Sequence, residues 1–269
     1  MANEFDSLVI DAFTQRLRET YQEVYSNWKP ECEGATTWAA SIAAQIHANL
    51  GDAPYHDTQH VIDVTLVGLE ILRGRHVMER VSPDDWMHFL IACAFHDVGF
   101  VKRLLPEDQD KDYPRGTTGA VLSKVHVDRG KQFVQFRFAD NPFIDGNLLA
   151  DYIEQTRFPA PDEERYKETD SLRGLVRAAD LIGQLANMHL ARNQWGLFQE
   201  FEETGQNEQF GYHTVDDLRD KFPAFFFNIV HPYIKDGIRH LERTVQGKQI
   251  VNNLFANVFR AQHNYWPSS

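Results

Sequence analysis

A long apolar run in this chain ends in a histidine and an aspartate. The run covers residues 86–95, Trp-Met-His-Phe-Leu-Ile-Ala-Cys-Ala-Phe, and His96 and Asp97 follow it directly. A stretch this apolar belongs inside a protein, where a charge is costly unless it is paired or bound to a cation. His60 and Asp180 stand in similarly apolar segments upstream and downstream. One divalent metal ion would account for all four side chains, so we expect the fold to bring them together.

The hydrophobic pattern is helical nearly throughout. Apolar residues recur at helical spacing over residues 5–24 and again over 171–189. Ser82, Pro83 and the two acids after them form a strong helix start. No segment alternates clearly between apolar and polar residues in the manner of a strand. The sequence therefore predicts an all-α protein with one domain over residues 1–269.

Three expected helices carry most of the chemistry. The first contains both His56 and His60, which are four residues apart and would share one face. The second reaches Asp97 and ends near Gly99, where a helix end lets adjacent residues face the same point. The third is a long helix over residues 118–138. The pair His56 and His60 is weak evidence alone, since histidines four residues apart are also found as surface or structural pairs.

The composition limits the partners of this chain. Lysine and arginine total 27 against 39 aspartates and glutamates, which gives a formal net charge of −12. That balance argues against broad binding to nucleic acid or anionic membranes, which requires a basic surface. No apolar stretch approaches the roughly 20 residues of a membrane span. The chain has only two cysteines, which favours a reducing cytoplasm. Its first residues are acidic, whereas a signal peptide begins with basic ones. Homo-oligomerisation stays open.

The ordered set of four helical residues resembles the HD-domain superfamily of metal-dependent phosphohydrolases. Residues 55–60, Tyr-His-Asp-Thr-Gln-His, are similar to the Tyr-His-Asn-x-x-His signature of cyclic-nucleotide phosphodiesterases, with aspartate in place of asparagine. The resemblance covers roughly residues 50–190. It implies an HD-domain helical bundle with additional N- and C-terminal helices.

The resemblance also implies roles for individual residues. The metal ligands would be His60, His96, Asp97 and Asp180, with Asp97 also counted among the catalytic residues. The ion would be Zn, Mn, Fe, Ni, Co or Mg, in one or two copies, because imidazole and carboxylate suit such metals. Metal-activated water would hydrolyse a phosphodiester or phosphomonoester of a nucleotide or related small molecule. His56 would protonate the leaving oxygen, Asp57 would favour its protonated form, and Asp63 would orient a metal-bound histidine.

The chain departs from the phosphodiesterase pattern at Phe100, where that pattern has a histidine. This departure weakens the expectation of a second metal ion and of a cyclic nucleotide. His126 is a further candidate ligand, with a hydrogen-bonded structural histidine as the alternative. Lys102, Arg103 and Arg157 are candidate phosphate-binding residues, with ordinary solvated charges as the alternative.

Two other functions stay open at this point. Relatives of the same helical scaffold hold a di-iron centre that activates oxygen, although this chain offers fewer ligands than such a centre needs. A noncatalytic domain that senses a metal ion and a nucleotide is the second alternative. Phe100 slightly favours the sensor, whereas His56 disfavours it.

Overall fold

The computed structural model describes residues 4–265, and α-helices make up most of this part of the chain. The helices are α1 (Glu4–Tyr25), α2 (Pro30–Leu50), α3 (Thr58–Met78), α4 (Pro83–Phe95), α5 (His126–Arg137), α6 (Gly146–Glu154), α7 (Leu172–Leu185), α8 (Leu190–Thr204), α9 (Gln206–Phe210), α10 (Val215–Phe225), α11 (His231–Leu241) and α12 (Val245–Gln262). Short 3₁₀ turns lie at Val98–Phe100, Pro106–Asp108, Gly119–Leu122 and Glu164–Tyr166, and a π-helical segment, Phe226–Val230, joins α10 to α11.

The prediction of an all-α protein is confirmed. No strand occurs between residues 4 and 265. None of the helices in this range is long and apolar enough to span a membrane.

Helices α3, α4 and α7 pack against one another at the centre of the molecule. Every residue of α4 from Trp86 to Phe95 is buried, as its apolar sequence requires. Helix α2 covers α4 with α1 outside it, α5 and α6 pair beside α4, and α11 lies across α3 and α7. The three central helices therefore have other helices on several sides, and the polar side chains at their ends lie in a largely enclosed space.

A glycine sets the distance between α3 and α7. A Cβ added to Gly183 would lie only 2.9 Å from the Cα of Val64, so any side chain there would push the two helices apart. His60 lies one turn before Val64 on α3, and Asp180 lies one turn before Gly183 on α7. The close approach at Gly183 therefore brings His60 next to Asp180.

Several expected helix starts are confirmed. The side chain of Ser82 accepts a hydrogen bond from the backbone N–H of Asp85, and Ser171 accepts one from Gly174. Such side-chain caps satisfy backbone donors that have no partner inside the helix. These starts depend on contacts within one turn of the chain, which is why the local sequence was sufficient to find them.

Two expected helices end earlier in the structure, since α4 ends at Phe95 and not at Asp97, and α7 ends at Leu185 and not at residue 189. Two others begin later than expected. Helix α3 begins at Thr58, because the side chain of Asp57 caps it by accepting from the backbone N–H of His60, so His56 lies outside the helix. The expected helix over 118–138 is interrupted, and α5 begins only at His126. Gly119 instead lies in a separate 3₁₀ turn that the side chain of Thr118 caps, and it approaches the Phe100 backbone so closely that a Cβ would lie 2.3 Å from that carbonyl oxygen.

Candidate metal centre

His60 lies in the first turn of α3, and its ring reaches the end of α4. Its Nε2 lies 3.2 Å from the Nε2 of His96. The same nitrogen lies 3.1 Å from an oxygen of Asp97 and 3.6 Å from an oxygen of Asp180. His60 and Asp97 are buried, and Asp180 is partly exposed.

The adjacent pair His96 and Asp97 sits where the chain leaves α4. His96 keeps helical backbone angles, whereas Asp97 does not, with φ −106° and ψ 8°. This change of direction allows both side chains to face one point. His96 Nε2 lies 3.0 Å from Asp97 Oδ2 and 3.5 Å from Asp180 Oδ1.

The backbone fixes the tautomer of His96. Its Nδ1 lies 2.7 Å from the carbonyl oxygen of Cys93, which can only accept, so Nδ1 donates that hydrogen bond. In the neutral ring the free electron pair is then on Nε2, which faces His60 and the carboxylates. Orientation of a metal-binding histidine through its other nitrogen is the usual arrangement in metal sites.

Opposite charges in this cluster shift the titration of its members. Burial alone would lower the pKa of His96, but Asp97 and Asp180 raise that pKa well above its ordinary value. Burial alone would raise the pKa of Asp97, but the neighbouring imidazoles hold it well below its usual range. The carboxylates thus favour a positive charge at this point. One ligand atom each from His60, His96 and Asp180 lies within 4.8 Å of the other two, a spacing that suits a divalent ion, and Asp97 Oδ2 lies 3.0–3.1 Å from both imidazoles.

His56 lies beside the cluster in the segment that precedes α3. Its Nε2 is 4.0 Å from Asp97 Oδ2, and its Nδ1 donates to Glu200 Oε2 at 2.6 Å. The other carboxylate oxygen of Glu200 accepts from the backbone N–H groups of Tyr55 and His56. Burial would lower the pKa of His56, but Glu200 and Asp97 outweigh this effect and raise it to about 9.

Sequence reasoning missed Glu200. It belongs to α8 and is buried, although it is followed by Glu202 and Glu203 in a segment that looks like a solvated acidic face. Nothing in the neighbouring sequence marks it as different from those two glutamates. Its expected counterpart, Asp57, instead caps α3.

His126 and Phe100 complete the surroundings of Asp97. His126 Nε2 lies 3.7 Å from Asp97 Oδ1, and its Nδ1 donates to the carbonyl oxygen of Ser123 at 2.6 Å. The ring of Phe100 stacks on His56 with centroids 4.0 Å apart and on His126 with centroids 4.3 Å apart. His126 is therefore close to the cluster but faces the carboxylate oxygen on the side away from His60.

The three candidate phosphate-binding residues have other surroundings. Lys102 pairs with Asp52 at 2.6 Å and donates to the carbonyl oxygen of Thr117. The side chain of Arg103 is exposed. Arg157 binds Glu154 and an exposed aspartate of α5. The structure gives no contact between any of them and the four clustered residues, and their role in substrate binding stays a prediction.

Asp63 also has partners other than the one expected. Its carboxylate accepts hydrogen bonds from the side chains of Gln59 and Asn187. Desolvation raises its pKa, and these two hydrogen bonds lower it in part. Asp63 therefore braces the start of α3 against the end of α7 and does not hold the ring of His60.

A cavity of about 1010 Å³ reaches the cluster at His60, and the neighbouring Tyr55 also lines it. Its walls come from the end of α7, from α8 and from α12, with Asn187, Trp195 and Asn253 among the lining residues. A volume of this order accommodates a small-molecule ligand. A second cavity of about 330 Å³ lies near residues 135–147 and contains no residue of the cluster.

Comparison with known proteins places the chain in a family. The model of the Npun_R2479-like family matches residues 3–264. The chain belongs to this family. The match to the Npun_R2479-like family runs from the start of α1 past the end of α12, and so includes every helix described above. Neither a curated protein nor a solved structure matches the chain.

Proposed function

We propose that this chain is a metal-dependent phosphohydrolase that acts on a small phosphate ester, and that it is related to HD-domain enzymes. The observation that carries the proposal is the convergence of four residues from the start of α3, the end of α4 and α7. Two imidazole nitrogens lie 3.2 Å apart, with carboxylate oxygens 3.0–3.6 Å from them. Such a group is costly in a protein interior without a cation.

The proposed ligands of the ion are His60, His96, Asp97 and Asp180. When bound, a divalent ion polarises a phosphoryl oxygen and lowers the pKa of a coordinated water molecule. The protein contributes the orientation of the ligands. Cys93 fixes the His96 ring through its carbonyl group, and the close approach at Gly183 holds Asp180 against His60.

His56 is the proposed proton donor. Its Nδ1–H is engaged by Glu200, so Nε2 is the atom that faces the cluster and can give a proton to a leaving oxygen. Glu200 is a positioning residue in this scheme, since it orients the ring and favours its charged form. The side chain of His56 keeps 19% of its surface exposed, which leaves it accessible to a substrate.

The cavity beside His60 supports a small molecule as the substrate. It is large enough for a phosphate ester of nucleotide size, and it opens directly onto a proposed ligand of the ion. A protein with a net charge of −12 needs local positive charge to hold a phosphate, and the ion would supply it.

Cys32 and Cys93 are both free and buried, and we place the protein in a reducing cytoplasm on that ground.

Metal analysis followed by an ester panel tests this function. The protein is reconstituted with Mn²⁺ or Zn²⁺, and phosphate or alcohol release is measured with cyclic nucleotides, nucleoside monophosphates and simple diesters. Asp180→Asn removes a proposed ligand charge, so it should reduce metal occupancy and turnover by at least the roughly 10–100-fold that loss of a residue supporting a ligand costs. His213→Ala is the matched control, because His213 is an exposed histidine in the turn before α10.

Three outcomes would contradict the proposal. Full metal content in Asp180→Asn would remove that residue from the ligands. Metal binding without turnover of any ester would favour the sensor. Two irons per chain together with oxygen consumption would favour the oxygenase.

A further inference from the structure

Three aromatic rings form a stack beside Asp97. The ring of Phe100 lies between the imidazoles of His56 and His126, at centroid distances of 4.0 Å and 4.3 Å. The interplanar angles are 12° and 21°, so both contacts are face to face. Two imidazoles cannot occupy the same face of one ring at these distances, so each covers one face.

We infer that Phe100 restricts the metal centre to a single ion by keeping His56 and His126 apart. The inference rests on the proposed function, because it assumes the ion at the four clustered residues. In this inference Phe100 limits the centre to one ion, and His126 does not bind that ion.

Without Phe100, the surroundings of Asp97 would suit a second ion. His56 and His126 both direct Nε2 toward this carboxylate, at 4.0 Å and 3.7 Å. Their Nδ1 atoms donate to Glu200 and to the carbonyl oxygen of Ser123, which leaves Nε2 as the free nitrogen in each neutral ring. Asp97 Oδ1 faces His126, whereas Oδ2 faces His60 and His96 and is also the oxygen nearest His56, so Oδ1 is the one oxygen directed away from the four-residue site.

The separation of the two imidazoles excludes an ion held by both of them. Metal–nitrogen bonds are about 2.0–2.1 Å long, so two nitrogens on one ion lie within about 4 Å of each other. The ring of Phe100 lies between the two imidazoles, with its centroid 4.0 Å from that of His56 and 4.3 Å from that of His126. The two imidazoles are therefore separated by the sum of these distances. His56 and His126 therefore cannot bind the same ion while Phe100 stays in place, and His56 remains a proton donor.

The backbone holds Phe100 in this position. Phe100 is 3% exposed and belongs to the 3₁₀ turn directly after Asp97, where its N–H donates to the carbonyl oxygen of Asp97 at 3.0 Å. Gly99 packs against the backbone of His126 so closely that a Cβ would lie 1.8 Å from its carbonyl oxygen. These contacts fix the backbone that carries the Phe100 ring.

Metal stoichiometry tests the inference without relying on activity. Purified protein is stripped of metal and titrated with Mn²⁺ by calorimetry, and the bound ions are examined by electron paramagnetic resonance. Wild type should bind one ion per chain and give the spectrum of an isolated Mn²⁺. His126→Ala should bind one ion with an affinity within about twofold of wild type.

Substitution of Phe100 provides the second part of the test. Phe100→Ala should bind two ions per chain, with the signal of a coupled pair, and the added His126→Ala substitution should return the number to one. Phe100→Leu is the matched control, because leucine keeps apolar volume between the imidazoles and should stay at one ion. Circular dichroism checks that each variant is folded.

The outcomes separate this inference from the proposed function. Wild type that binds two ions, or His126→Ala that loses affinity more than tenfold, overturns the role of Phe100 while the metal-dependent function stands. A folded Phe100→Ala protein that stays at one ion also overturns it. Wild type that binds no ion overturns the proposed function, and the inference with it.

Discussion

Replacement of Glu200 by glutamine changes one atom of a buried carboxylate that serves the proposed proton donor. In the structure, Oε2 accepts from His56 Nδ1 at 2.6 Å, and Oε1 accepts from the backbone N–H groups of Tyr55 at 2.7 Å and His56 at 3.1 Å. Glutamine has nearly the same shape. Its carbonyl oxygen can keep both backbone contacts, so its NH₂ group then faces Nδ1.

The consequence follows from the roles of donors and acceptors. An NH₂ group only donates, so His56 Nδ1 would have to accept, and the ring would become neutral with its proton on Nε2. A neutral imidazole is a far weaker acid than an imidazolium. We therefore expect Glu200→Gln to lose about 10²–10⁴ in turnover, the range typical of one general acid. Loss of a charge-assisted hydrogen bond should also cost about 1.5–3 kcal/mol of stability.

The assay compares two esters that differ in their leaving group. An alkyl ester needs a proton on its departing oxygen, whereas a nitrophenyl ester does not. Glu200→Gln should lose the full factor on the alkyl ester and much less on the nitrophenyl ester, with metal content unchanged. Glu203→Gln is the control, because Glu203 lies on the same helix as Glu200 but has a different partner. It accepts hydrogen bonds from the backbone N–H and the hydroxyl of Thr118, both at 2.7 Å.

Three results would refute this reasoning. Equal losses on both esters would show that Glu200 acts on structure or on the ion and not on proton donation. Full activity of Glu200→Gln on the alkyl ester would show that the contact with His56 does not matter for turnover. A similar loss in Glu203→Gln would assign the effect to α8 as a whole.

His56→Ala should keep its metal and lose a factor of about 10²–10⁴ in turnover of alkyl esters, but a far smaller factor with a nitrophenyl ester. Loss of the metal in this variant would instead make His56 a ligand. Burial would raise the pKa of Glu154, but hydrogen bonds from two cations and a tyrosine lower it to about 2. Since this folded-state value lies below the unfolded one, the stabilisation by Glu154, on the order of 2–3 kcal/mol, is present above about pH 4.5 and is lost as the pH falls toward 2. The difference in urea stability between wild type and E154Q should therefore shrink by about half at pH 3, and a difference independent of pH would contradict this. Gly99→Ala should destabilise the protein by about 1–3 kcal/mol in urea because its Cβ would overlap the carbonyl of His126, whereas Gly34→Ala in α2, with nothing near its Cβ, should be neutral or stabilising.

The four-residue cluster was predictable because each residue conflicts with its own surroundings. His96 and Asp97 end an apolar helix, and Asp180 lies within another, so the local sequence already requires a partner for them. The helix starts at Ser82 and Ser171 were predictable for a related reason, since a cap acts on backbone groups within one turn. Information of this kind is contained in a few consecutive residues.

The tertiary structure alone decided how His56 is held. Glu200 is 144 residues away in the chain, and its local sequence does not distinguish it from Glu202 and Glu203 until α8 packs against the segment before α3. The stacking of Phe100 between two imidazoles likewise joins residues from three separate segments, the turn before α3, the 3₁₀ turn after Asp97 and the start of α5. Sequence pattern specifies which residues must leave water. Which distant residues they then meet depends on how whole helices pack, and no local pattern encodes that.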